Sequence, residues 1–324
     1  MLYPLKFTPI LKETLWGGDK LAYKSKDGAV KSTIGESWEI SSVEDHISVV
    51  SEGPLEGNNL EELIEVYMGD LVGDHIYEKF GIEFPLLIKY IDACDDLSIQ
   101  VHPDDKTAKE RHNAYGKTEM WYIVEADKGA QLIMGFNKDT DRAEYLSRLN
   151  NETLPDILNV EQVKKGDCFF IPSGTVHAIK KGCLIAEIQQ TSDVTYRIYD
   201  YHRKDKNGEY RELHTELATD VIDYKRQEEH AIPYANHLNH PEELVTSEYF
   251  TTKHIRFNTE IERDYFSIDS FVIYMCLEGN CTIVYDTDKF VKAKKGETVL
   301  IPAVLKQISL IPDRETTLLE VFVG

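Results

Sequence analysis

Four side chains from three separated segments have the types needed to close around one divalent ion: Gln100, His102, Glu119 and His177. Two imidazoles, a carboxylate and an amide oxygen form a borderline-hard donor set. Zinc suits it best, with the glutamine oxygen as a weak ligand, and manganese or iron would also accept it. Gln100 and His102 belong to residues 97–104, Leu-Ser-Ile-Gln-Val-His-Pro-Asp, which alternate with the period of a strand. Leu97, Ile99 and Val101 are expected on one face, and Ser98, Gln100 and His102 on the other. Pro103 ends the run. A second strand, residues 117–124, places Lys117 and Glu119 on one face, and residues 171–178 bring His177.

The elements that must position these groups are read from periodicity. Residues 86–92 form a strand leading into the 97–104 stretch, and residues 163–172 and 183–190 form two more. Trp16-Gly17-Gly18 is expected to be a turn, with Trp16 and Trp38 packing in the core or at its rim. Residues 35–41 alternate, with Glu36, Trp38 and Ile40 on one face. Leu60, Leu63, Ile64 and Tyr67 recur at helical spacing, so residues 59–80 read as helical, capped by Asn58 or Asn59. Weaker helical stretches cover 140–148 and 213–222. A His-, Asn- and Pro-containing stretch, 231–241, reads as a linker. The expected fold is mainly β: two small β-barrels, residues 1–234 and 235–324, with helical insertions packed on the first; the Gly-Asp turns and Ile171-Pro172-Ser173-Gly174-Thr175-Val176-His177 resemble the cupin pattern, which implies barrels of jelly-roll type.

The 324 residues are 42% hydrophobic and carry a net charge of −21. Such an acidic chain lacks the basic surface that nucleic acid or an anionic membrane requires. An anionic small molecule would have to be met by basic side chains gathered locally. Five cysteines, none in a CxxC pair, point to reduced thiols. No apolar run reaches membrane length and no apolar signal core opens the sequence, so a cytoplasmic location is expected.

The second half repeats the first in outline. Lys165-Gly166-Asp167 before Ile171-Pro172 matches Lys295-Gly296-Glu297 before Ile301-Pro302, and Tyr122-Ile123-Val124-Glu125 matches Tyr274-Met275-Cys276-Leu277. Five residues past the proline stands His177 in the first copy and Gln307 in the second. Three residues before the tyrosine stands Glu119 in the first and Phe271 in the second. The scaffold recurs without the ligands, which places the site in the first copy alone.

With these residues assembled, the chain resembles the type I mannose-6-phosphate isomerases in their shorter bacterial form, within the cupin superfamily. The resemblance runs in order through Trp16-Gly17-Gly18, Gly35-Glu36-Ser37-Trp38-Glu39, Ser98-Ile99-Gln100-Val101-His102-Pro103-Asp104, Gly116-Lys117-Thr118-Glu119, Pro172-Ser173-Gly174-Thr175-Val176-His177-Ala178 and residues 189–201. It implies interconversion of mannose 6-phosphate and fructose 6-phosphate. It also implies a zinc ion, one per chain, on Gln100, His102, Glu119 and His177, and an active-site arginine, Arg197.

An aldose–ketose isomerisation moves a proton between two carbons through a cis-enediol, on whose oxygens negative charge develops. Arg197, permanently charged, suits that charge, unless an ion pair with Asp193 or Asp200 claims it. Asp193, Glu187, His102 or a metal-bound water could shuttle the proton. Lys117 could aid ring opening or hold the sugar, and Ser98, Lys117 and Arg203 could hold the phosphate. The competing readings are another metal-dependent cupin enzyme, such as a dioxygenase, and a catalytically silent sugar-phosphate-binding protein. A monomer or a homodimer is equally compatible with the sequence.

Overall fold

Strand-forming runs separated by Gly and Asp turns pair into antiparallel sheets, and the resulting fold is mainly β. The structure is a computed structural model and describes residues 2–24, 33–205 and 207–324. The chain divides into two compact units. One comprises residues 11–38 and 88–232; the other comprises residues 1–10, 39–87 and 233–324. This differs from the expected 1–234 and 235–324, because residues 1–10 and 39–87 group with the C-terminal segment.

The unit carrying the ligands is built on two sheets. The six-stranded sheet runs Ile10–Gly18, Ile34–Ile40, Leu86–Ala93, Cys183–Gln190, Glu119–Ala126, Cys168–Ile171. The five-stranded sheet runs Tyr196–Tyr199, Ile99–Val101, His177–Ile179, Gln131–Phe136, Leu158–Gln162. Trp16, Ile91, Trp121, Ile123 and Ile185 from the first share an apolar interior with Leu132, Met134 and Ile179 from the second. The other face of the five-stranded sheet, with Ile99, Val101, Ala178 and Ile198, packs on Tyr145, Leu154, Ala218 and Ile222. Tyr145 belongs to the helix Arg142–Asn150 and Ala218 to Thr215–Thr219. Alternation therefore sends Gln100 and His102 inward, between the sheets. Leu97 lies before the strand and packs in the interior instead of sharing the face of Ile99 and Val101. A short helix absent from the sequence reading, Asp105–His112, starts directly after the Pro103 break, capped by Asp104 onto Thr107 N–H. Trp16-Gly17-Gly18 is the end of a strand, not a turn. Gly17 is required there, because a Cβ would meet Gly35 N and Thr33 O at 2.4 Å.

The other unit also pairs two sheets, one of five strands and one of four, around Phe257, Tyr274, Ile283, Val299 and Leu318. Its helices, Leu60–Tyr67, Gly69–Val72 and Asp74–Phe80, break the expected 59–80 helix at Met68 and Gly73, both at positive φ. Asn59 forms a capping box with Glu62. These helices were expected on the first barrel, but their ends are satisfied from the C-terminal segment. Val72 O accepts from Phe271 N–H, and the Asp269 carboxylate accepts from the N–H groups of Asp74 and His75.

Strand pairing also corrects the repeat by one residue. Ile171 lies opposite Glu119, whereas Ile301 lies opposite Val272. Val272, rather than Phe271, thus holds the Glu119 position, and Tyr274 holds that of Trp121. Opposite these lie Glu187 and Glu320. The second copy fills its interior with a closed network. Arg263 grips the fully buried Glu320 through Nε at 2.9 Å and a terminal nitrogen at 2.6 Å. Tyr265 and Tyr274 donate to the same carboxylate at 2.8 and 2.7 Å. Removing one partner of such a pair strands a charge. Arg263→Met is therefore expected to cost about 3–5 kcal/mol in denaturant unfolding. The double change Arg263→Met with Glu320→Leu is expected to recover most of that loss.

Candidate metal centre and adjoining cavity

His102, Glu119 and His177 converge, fully buried, with ligand atoms within 4.8 Å of one another. Each imidazole is oriented by a backbone carbonyl: His102 Nδ1 lies 3.0 Å from Val194 O and His177 Nδ1 2.9 Å from Thr175 O. Donation to these oxygens puts the ring proton on Nδ1 and leaves the Nε2 lone pair facing inward. Burial, joined by the positive charge of Lys117, pushes both histidines down, His177 to about 4, so both are neutral. The inward lone pairs meet a carboxylate. His177 Nε2 lies 3.3 Å from Glu119 Oε1, and His102 Nε2 3.6 Å from Glu119 Oε2.

Two acceptors at that separation repel unless a positive charge lies between them. The Lys117 ammonium supplies part of it, touching Glu119 Oε2 and lying 3.1 Å from His102 Nε2. Glu119 Oε1, however, is buried with no hydrogen-bond partner, a condition that costs about 1–3 kcal/mol or more for a charged group. A divalent cation fits: it would satisfy Oε1 and both Nε2 lone pairs together. The Gln100 amide lies beside this group. Its Nε2 lies 3.3 Å from His177 Nε2, and a half-turn of the amide would present its oxygen instead. Strand pairing creates the convergence, since Gln100 sits opposite His177. Burial pushes Glu119 up to about 7 against the pull of Lys117.

A cavity of about 240 Å³ adjoins the centre, with Gln100 and Lys117 in its wall. Ser98, Glu187, Asp193 and Arg197 line it as well. Arg203 does not; it is committed to the Asp96 carbonyl and to Asp200 at 2.6 Å. Arg197 forms no ion pair with Asp193 or Asp200. It donates to Ser98 Oγ at 3.3 Å and to Glu212 O at 2.9 Å.

Three lining groups escaped the sequence reading. Lys89 is buried between Glu187 at 3.2 Å and Glu36 at 3.5 Å. Its signal was available: a lone lysine inside the apolar run 86–91. Trp121 donates from Nε1 to Glu187 at 2.8 Å. Arg211 reaches the cavity from a loop, without any local pattern to reveal it. All three tryptophans of the chain, at 16, 38 and 121, line this one cavity, so Trp16 and Trp38 pack, as expected, at the rim of the core. Four cations, at 89, 117, 197 and 211, outnumber the three carboxylates, at 36, 187 and 193, in the wall. Against a net −21 overall, this is the local positive pocket that an anionic molecule requires.

Burial alone would raise Glu187, but Lys89, Lys117 and the Trp121 hydrogen bond outweigh it and hold it well below the usual carboxylate range. Glu187 thus stays ionised, whereas Glu119 is driven toward protonation in the absence of a stronger cation.

The chain is similar to proteins of one kind. A family model described as "Phosphomannose isomerase type I, catalytic domain" matches residues 5–133. Mannose-6-phosphate isomerase ManA of Bacillus subtilis is 37% identical, with 95% of each chain covered. Mannose-6-phosphate isomerase of Streptococcus mutans is 34% identical, with 97% of each covered. A crystal structure of mannose 6-phosphate isomerase from Bacillus subtilis superposes with a TM-score of 0.88, at 33% identity and 99% coverage of both chains.

Two outcomes follow from this geometry. Glu119→Gln is expected to weaken metal binding, measured by calorimetry and elemental analysis, by more than the roughly 10–100-fold typical of outer-shell partners. Because the folded-state pKa of Glu187 lies below its unfolded value, its contribution to stability is present above the ordinary carboxylate pKa. That contribution is lost as pH falls through the depressed one. Unfolding free energy measured downward from pH 5 should fall more steeply for the native chain than for Glu187→Gln.

Proposed function

The chain belongs to the type I phosphomannose isomerase family and is a mannose-6-phosphate isomerase; from that premise we propose how its residues divide the work. His102, Glu119, His177 and Gln100 hold one zinc ion. The unpartnered Glu119 Oε1 facing the His177 lone pair is the observation that carries this assignment. Bound there, the ion supplies Lewis acidity that polarises the sugar oxygens at the reacting carbons.

The remaining chemistry belongs to the cavity wall. The tryptophans give the sugar apolar faces to lie against and exclude water. Glu187, ionised and buried, is the proton-transfer group: it takes the proton from carbon 2 of the open-chain aldose and returns it to carbon 1 of the cis-enediol. Lys89 and Trp121 fix its orientation and keep it a carboxylate. His102 has its lone pair committed to the centre and its N–H to Val194 O, which removes it from shuttling. Asp193 is exposed at the cavity and serves sugar hydroxyls rather than the reacting carbons. Lys117, between the centre and the cavity, assists ring opening by donating to the ring oxygen. Arg197, with no carboxylate partner, stabilises negative charge on the substrate. In this reading the two paired-sheet units are cupin-like modules, and only the one with the centre is catalytic.

The test is a coupled assay on mannose 6-phosphate. Chelation should abolish turnover and zinc should restore it. Glu187→Gln should lower kcat about 10²–10⁴-fold with bound metal retained. Asp193→Asn should lower kcat far less. Turnover that survives complete metal removal would sink the assignment of the centre.

A further inference from the structure

Within the ligand-carrying unit, residues 200–205 and 207–211 form two arms tied together by a charge pair. The chain reverses through Tyr201 and His202, both in the left-handed region at φ 54°. It returns past a bridge between Lys204 and Tyr210. Asp200 on the outgoing arm is buried and grips Arg211 on the returning arm in bidentate fashion. Arg211 Nε donates to Oδ2 at 2.7 Å and a terminal nitrogen to Oδ1 at 2.5 Å. The same carboxylate takes Arg203 at 2.6 Å. Arg211, unlike Arg203, lines the cavity beside Arg197 and Ser98.

Of the three guanidinium groups at this corner, Arg203 and Arg211 share the buried Asp200, Arg203 also lies 3.6 Å from Asp95, and Arg197 makes hydrogen bonds but no ion pair among the described residues. Two guanidinium groups in one cavity wall repel each other, and a fixed fork holding one of them there makes the repulsion permanent. A dianion accepting from both relieves it. We propose that Arg211, positioned by Asp200, is a phosphate-reading residue of this enzyme, sharing the substrate's phosphate with Arg197 and Ser98. Arg203 acts at one remove, by fixing Asp200. The inference rests on the sugar-phosphate isomerase reading and extends it to a residue outside the motifs that first indicated a site.

The experiment compares the native chain with Arg211→Met, Arg211→Lys and Asp200→Asn, all metal-loaded. One readout is steady-state kinetics on mannose 6-phosphate. The other is titration with inorganic phosphate followed by tryptophan fluorescence, which needs no turnover and reports on this cavity because every tryptophan lines it. Arg211→Met should raise KM at least tenfold, by a larger factor than kcat falls, and weaken phosphate binding at least tenfold. Arg211→Lys, which keeps the charge and guards against a folding defect, should lie between. Asp200→Asn should shift both readouts in the same direction. Unchanged phosphate affinity in Arg211→Met overturns the proposal, as does a fall in kcat with KM intact, or a native chain whose fluorescence ignores phosphate. Failure of the isomerase reading would look different: no metal-dependent turnover by the native chain, with the phosphate titration still deciding the role of Arg211.

Discussion

Lone pairs facing lone pairs are the constraint around which this structure is arranged. Two imidazoles, each fixed in one tautomer by a backbone carbonyl, point their bare nitrogens at a buried carboxylate. A cation, or a proton on the carboxyl, relieves that confrontation. Lys117 relieves one side of it, and the unpartnered oxygen of Glu119 leaves room for a second cation to fit. The inward turn of Gln100 and His102, from a strand whose apolar residues face the helices, serves the same end.

The cavity follows from the same need to manage buried charge. Lys89 between Glu187 and Glu36 is tolerable in the interior because both carboxylates are within reach. The arrangement drives two nearby carboxylates apart in proton affinity, Glu187 downward and Glu119 upward. Cations in the wall, at 89, 117, 197 and 211, set this pocket apart from the acidic chain as a whole.

The repeat shows how little separates an interior that gathers a donor group from one filled by a closed network. Equivalent strands place Glu187 and Glu320 at corresponding positions, each opposite an aromatic residue. In one unit the carboxylate is paired by a lysine that lines a cavity. In the other a guanidinium and two phenols close around it and leave its oxygens satisfied. With Val272 at the position of Glu119 and an exposed Gln307 at that of His177, the described residues of the second unit gather no group of metal donors.

The residue types and spacings by themselves determined the strand alternation, the group of His102, Glu119 and His177, and the lysine two residues before Glu119. Each of these is local, because the side-chain direction in a strand is fixed by parity. Parity also explains the one-residue error in the repeat: Phe271 and Val272 cannot be told apart without knowing which residue lies opposite Ile301. Tertiary structure alone decided which residues share a wall. Arg211 lines the cavity and Arg203 does not, although the same buried aspartate holds both. The helices between 60 and 80 join the C-terminal segment because their unpaired backbone groups find partners there. Such choices are made by pairing across long separations, where neither periodicity nor residue type carries information.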